Sequence, residues 1–360
     1  MRTGTANLPL HNGKAPAWLF QRMVKLSREI ISLLVYERGT KEILLRLSDP
    51  YWFQSFGCVL GFDWHSSGVT TTVCGAMKEG LRGLERELGL AVAGGKGSAS
   101  RRTPDDIRQF AGVISLATDA EILVYASKMS AKVDNTAVQD GYQLYHHTFV
   151  FDHDGDWAVV QQGMNDANGW ARRYHWLSKT LPSFVRDPHA AVCAEQRGDI
   201  LLNMVAGEAE LNRRAVAHLA SEQPELVERE AKKTLECNLA QRHEVSLADL
   251  NPRYFHKILL KTYERQPADF QKLLEIEGVG PKTVRALALI ADLLYGVPIS
   301  TRDPARFSFA HGGKDGHPYP VDRSNYDQSI EIMKRAVEQS KLGRQEISNA
   351  IRRLRSFYEL

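Results

Sequence analysis

The chain has 360 residues, 43% hydrophobic and 25% charged, with 27 glycines and 14 prolines. These proportions exclude a disordered or fibrous chain and fit a globular protein of two or three domains at about 150 residues each. The formal net charge of +3 is too near neutral for composition alone to announce a nucleic-acid partner.

No apolar run approaches the roughly 20 residues of a membrane span, and the start Met1-Arg2-Thr3-Gly4 lacks an apolar targeting core. A cytoplasmic protein with no membrane partner is therefore expected. Residues 7–16 (NLPLHNGKAP) read as an arm that carries His11. Residues 17–37 set Leu19, Met23, Leu26, Ile30, Leu33 and Leu34 at helical spacing, which predicts an amphipathic helix. Residues 57–74 read as a β-hairpin, GCVLGFDWHS and VTTTVC, turning at Ser67-Gly68. In that register Asp63, His65, Thr70 and Thr72 share one face. A helix over 76–89 stopped by Gly89, a flexible Gly- and Ser-rich loop over 93–103, and a helix opened by Pro104 follow.

The clearest hairpin spans 142–164, where YQLYHHTFVF and WAVVQQGM flank DHDGD. Closure there pairs Phe151 with Trp157, Phe149 with Val159 and His147 with Gln161, and sets His146 against Gln162. Asp152, Asp154 and Asp156 are assigned to turn chemistry. Lys132, Asp134, Gln139 and Asp140 precede the first strand, and RRYHWLS (172–178) adds Arg172, Arg173 and His175. Hairpins interleaved with helices predict an α+β domain with an antiparallel sheet over 1–200. Beyond about residue 200 no strand is persuasive. Helical periods predict an all-α domain over 201–360, net −3 over 201–250 and +5 over 251–360. Near its end, 308–323 reads as a Gly- and His-rich connector and 344–357 as a basic amphipathic helix. Cys58, Cys74, Cys193 and Cys237 lack paired spacing and read as buried free thiols.

Residues 269–294 (DFQKLLEIEGVGPKTVRALALIADLL) carry the most specific motif. One helix ends at Ile276, Gly278-Val279-Gly280 turns the chain, and Pro281 opens a second helix. Such a turn aims backbone N–H groups and the positive end of a helix dipole at one spot, a site for a phosphate. Val279 would pin the turn to its own core, while Lys282 and Thr283 would add a charge and a hydroxyl. The stretch resembles the helix–hairpin–helix family, which grips the DNA backbone without reading sequence. It also resembles the endonuclease III-type DNA glycosylases, and that resemblance implies Lys282 as a nucleophilic amine and Asp303 as the catalytic carboxylate.

Polar residues of the first half supply the leading expectation for chemistry. Asp63 and His65, two apart, with His147 would hold a divalent metal, Mg²⁺ or Mn²⁺. Asp140 would serve as a ligand or general base and His11 as a further participant. The expected function is a metal-dependent, structure-selective DNA nuclease of repair or recombination, acting on single-stranded, branched or bubble DNA. A homodimer would grip DNA better than one chain. The alternatives are the glycosylase or lyase just described, a non-catalytic DNA-binding protein, and a hydrolase using Thr3 or Thr5 as an N-terminal nucleophile. Residues 2–19 and the runs 49–81, 132–151, 157–165, 172–178 and 308–323 together resemble, end to end, a prokaryotic family catalogued as a domain of unknown function. That resemblance implies one working unit and names no substrate.

Overall fold

A computed structural model describes residues 15–62, 68–166, 169–194, 201–236 and 252–305, with isolated positions between 331 and 352. Four helices lead the chain: α1 (Ala17–Arg38), α2 (Thr40–Ser48), α3 (Pro50–Leu60) and α4 (Gly68–Leu81). The amphipathic helix expected over 17–37 is α1, which buries Met23, Leu26, Ile30 and Leu34.

The hairpin expected over 57–74 is instead the end of α3 and the start of α4. Asp49 explains the first half: its side chain accepts from the N–H groups of Tyr51 and Trp52 at 2.8 and 3.3 Å, with Pro50 at the first helical position. Tertiary packing explains the second, because Val69, Val73 and Met77 recur at helical spacing and are buried. A Cβ at Gly57 would lie 2.9 Å from Val69 Cγ2, so glycine allows this close crossing. Thr70 is accordingly a buried helical residue, not part of a polar strand face.

The single helix expected over 76–89 is broken by a turn at 82–84, where Gly83 has φ +84°, into the end of α4 and the short helix α5 (Glu85–Leu88), which stops at Gly89 as expected. The loop expected over 93–103 proves to be ordered. It comprises the end of strand β1 (Leu90–Lys96) and the helical turn α6 (Ser98–Arg101). The glycines there mask the strand, whose residues 90–94 are buried. Then come α7 (Thr103–Val113), α8 (Ala120–Lys132), a π-helical turn (Val133–Ala137), β2 (Val138–Gln139), β3 (Gln143–Asp152), β4 (Trp157–Asn165), β5 (Trp170–Leu177) and β6 (Ala191–Cys193).

The protein is α+β, with an antiparallel sheet in the order β1-β3-β4-β5-β6. The 142–164 hairpin has the expected register, including His147 opposite Gln161 and His146 opposite Gln162. Asp152 Oδ1 accepts from the N–H groups of Asp154 and Asp156, so Asp152 organises the turn. A two-residue strand, β7 (Leu202–Asn203), pairs with β2. It is too short to leave a periodicity in the sequence, which is why none was expected after residue 200. The later helices are α9 (Glu210–Ala220), α10 (Pro224–Glu236), α11 (Pro252–Arg265), α12 (Phe270–Glu275) and α13 (Pro281–Tyr295).

Alternation along the strands divides the core in two. Val92, Val150, Val160 and Leu177 pack beneath α1–α4. Phe149, Phe151, Val159 and Trp176 on the opposite face share one apolar cluster with Leu219, Ile258, Leu273 and Leu287 of the later helices. Cys58, Cys74 and Cys193 are free thiols, and burial pushes Cys74 and Cys193 up to about 12 and about 11. Cys237, 308–323 and, apart from isolated positions, 344–357 lie outside the described residues. No described helix is long and apolar enough to cross a membrane.

Candidate functional site

The half of the β3–β4 hairpin near its turn is apolar, whereas the far half is polar on both faces. Toward α8, register aligns His147, Gln161 and Tyr174 in one row. A hydrogen-bond chain runs from there. Asp134, on the π-helical turn, accepts from Gln161 Nε2 at 2.6 Å, Trp176 Nε1 at 2.9 Å and His189 Nε2 at 2.5 Å. Gln161 therefore turns its Oε1 toward His147 Nδ1, 2.8 Å away, and His147 must donate there. Burial lowers the His147 pKa, so the ring is neutral and its Nε2 keeps a lone pair. Ser127 Oγ lies 2.8 Å from that nitrogen and donates to it.

Ser127 and His147 line a pocket of about 410 Å³ together with Arg101, Lys128, Lys132 and Tyr145. Three of the described lining residues are cationic and none is acidic. His146 also lines it, and its buried Nδ1 has no partner among the described residues.

On the sheet's other face, Arg173 and His175 are 0% exposed. His175 Nδ1 donates to Leu47 O at 2.8 Å, while Arg173 Nε donates into His175 Nε2 at 3.0 Å. Burial, then the Arg173 charge, holds the His175 pKa well below its ordinary value. These two groups bind α2 and α3 to the sheet, since Arg173 also donates to Gln54 at 3.1 Å and lies over the Phe53 ring.

The pocket adjoins the turn between α12 and α13 through Lys132, whose ammonium donates to Val279 O. Two neighbouring carbonyls are also taken by side chains: Gly278 O by Tyr254 Oη at 3.0 Å and Pro281 O by Gln139 Nε2 at 2.8 Å. By contrast, the N–H groups of Gly280, Lys282 and Thr283 meet no acceptor among the described residues. Gly278 has φ +95°, and a Cβ there would lie 2.5 Å from Ile258 Cδ1, so both conformation and space require glycine. Val279 is buried as expected, and Lys282 is exposed. Thr283 is buried as a residue, 3% exposed, and its backbone N–H is one of the open donors of the turn.

Asp63, His65 and His11 lie outside the described residues. His147 is part of the Ser127 chain and is not joined to Asp140. The Asp140 carboxylate accepts from Arg172 and from Tyr174 Oη, both at 2.8 Å, and its side chain is 1% exposed. Burial raises its pKa while the Arg172 charge opposes that. The same guanidinium grips Asp303 with two bonds, at 3.0 and 2.8 Å. Asp303 is thus a partner of Arg172 on the wall of a second pocket, about 250 Å³, shared with His189. Lys282 forms no ion pair with it. Among the described residues no group of three or more His, Cys, Asp or Glu is arranged to hold a metal ion.

Sequence reasoning missed Ser127 and His189. Ser127, Ser130 and Asp134 recur at i, i+3 and i+7 and would have fallen on one face had 120–134 been read as a helix. Residues 4–321 match a family described as "Protein of unknown function (DUF763)". No curated protein and no solved structure matches the chain.

Proposed function

The chain belongs to the DUF763 family, whose description names no activity, so function must come from the chain's own site, and we propose that it binds DNA through the phosphate backbone. The observation that carries this reading is the asymmetry of the α12–α13 turn. Its carbonyls at Gly278, Val279 and Pro281 are occupied by side chains, while its N–H groups at Gly280, Lys282 and Thr283 are open. The open donors sit at the positive end of a 15-residue helix beside exposed Lys282, which suits an anion. The basic pocket shares Lys132 with that turn and extends the favourable ground for phosphates.

The test is fluorescence anisotropy with labelled single-stranded, duplex and bubble DNA at several salt concentrations. Lys282→Ala should weaken binding equally for unrelated sequences and lower the slope of log affinity against log salt by about 1. Failure of the wild-type protein to bind any of these DNAs at low salt would sink the proposal. Cleavage dependent on Mg²⁺ or Mn²⁺ is a second reading, and it requires His147 Nε2 to leave Ser127 Oγ for the metal. A gel assay comparing each metal with EDTA tests it.

A further inference from the structure

We propose that Ser127 is the nucleophile of a phosphodiester-cleaving site in the 410 Å³ pocket, with His147 as its base. The substrate class rests on the reading of a DNA backbone held at the neighbouring turn. The chemistry rests on the hydrogen-bond chain itself.

A serine hydroxyl attacks only when its proton has somewhere to go. Here the direction of every bond is fixed from the buried end. Asp134 can only accept, so the Gln161 amide donates to it and presents its oxygen to His147. That oxygen can only accept, so the imidazole proton sits on Nδ1 and the Nε2 lone pair points at Ser127. Burial keeps the ring neutral. Ser127 and His147 are only 3% and 6% exposed, so a substrate reaches the Oγ through the pocket. Arg101, Lys128 and Lys132 on its wall favour a phosphoryl group over a neutral ester.

In the first step the Ser127 Oγ–phosphorus bond forms and the bond to one ester oxygen breaks. The serine proton passes to His147 Nε2 and then to the leaving oxygen, which departs as an alcohol. In the second step water attacks phosphorus, gives its proton to His147, and the Oγ leaves and recovers that proton. The sum is one water added across one P–O bond. Gln161 is a positioning residue that keeps His147 in the productive tautomer.

The probe is bis(4-nitrophenyl) phosphate, given to the full chain in EDTA. Wild-type protein should release nitrophenolate, and acid-quenched protein should carry a nitrophenyl-phosphoryl adduct on Ser127 by mass spectrometry. Ser127→Ala should lose the adduct and at least about a hundredfold in rate, with an unchanged urea midpoint as the folding control. Gln161→Leu should lower kcat and leave KM within about twofold, a split that loosened packing alone would not give. Protein that binds DNA but releases no nitrophenolate overturns this inference and leaves the proposed function standing. Ser127-dependent release without DNA binding does the reverse. Release that survives Ser127→Ala also overturns it, and a metal requirement in that variant would direct attention to Asp63 and His65.

Discussion

His147 on β3 and His175 on β5 lie on opposite faces of one sheet, both buried and both neutral through burial. Each donates from Nδ1 to an oxygen and accepts at Nε2. The difference is what meets the lone pair. For His175 it is the Arg173 guanidinium, which keeps its hydrogens, so the ring acts as a strut between β5 and α2. For His147 it is a serine hydroxyl on the wall of a pocket, whose hydrogen can transfer. Burial and a low pKa are shared, so neither identifies a working histidine; the donor facing the lone pair does.

That contrast breaks most visibly at Arg173. Replacing it by Leu strips the donor from His175 Nε2 and Gln54 Oε1 and removes the cation over the Phe53 ring. Each of the two buried acceptors left unsatisfied costs about 1–3 kcal/mol. Urea unfolding followed by circular dichroism should register a loss of that size. A change under about 1 kcal/mol would mean that Arg173 is not the strut described.

Acid sharpens the contrast at a smaller scale. An unfolded histidine titrates near 6.5, while His146 in the folded protein is pushed down to about 3 and His147 and His175 are also lowered. As pH falls below 6.5 the unfolded chain takes up protons first, so stability declines by up to about 1.4 kcal/mol per pH unit for each such histidine. For His146 the window closes near pH 3. Protonating His175 would set an N–H against the Arg173 N–H, whereas protonating His147 leaves Ser127 Oγ able to turn and accept. His175→Gln should therefore flatten the decline between pH 6.5 and 5, by at most one proton, and His147→Gln should flatten it less. Urea titrations at pH 7.5, 6 and 5 measure the slopes, and equal flattening by the two variants would erase the distinction.

These residues were unequally legible in the sequence. The β3–β4 register followed from one Asp-Gly turn and strict alternation, so His147 opposite Gln161 could be written down directly. The glycine turn at 278–280 and buried Val279 were legible for the same reason, since local geometry alone dictates them. Residues 57–74 misled because Val-Thr-Thr-Thr-Val suits a strand, and only the capping of α3 by Asp49 and the crossing at Gly57 make it helical. Ser127 was invisible because its meaning depends on a contact with His147 twenty positions away. Asp140 and Asp303 were each expected to carry chemistry, and the buried arginine that joins them cannot be read from spacing.

The smallest expected effect on stability is at Ser127 itself. Ser127→Ala removes the donor to His147 Nε2, and an unsatisfied buried acceptor costs about 1–3 kcal/mol when nothing replaces the bond. Here the acceptor borders a 410 Å³ pocket, large enough for water to supply the missing hydrogen bond. Alanine is also the better residue in the interior of a helix such as α8, by up to about 0.5 kcal/mol. The two terms oppose one another, and the variant should unfold within about 0.5 kcal/mol of wild type by the same urea measurement. A loss above about 2 kcal/mol would put Ser127 in the class of Arg173, a strut whose hydroxyl the fold needs. A near-neutral result would mean that the fold does not need that hydroxyl, as expected of a group kept for its reactivity.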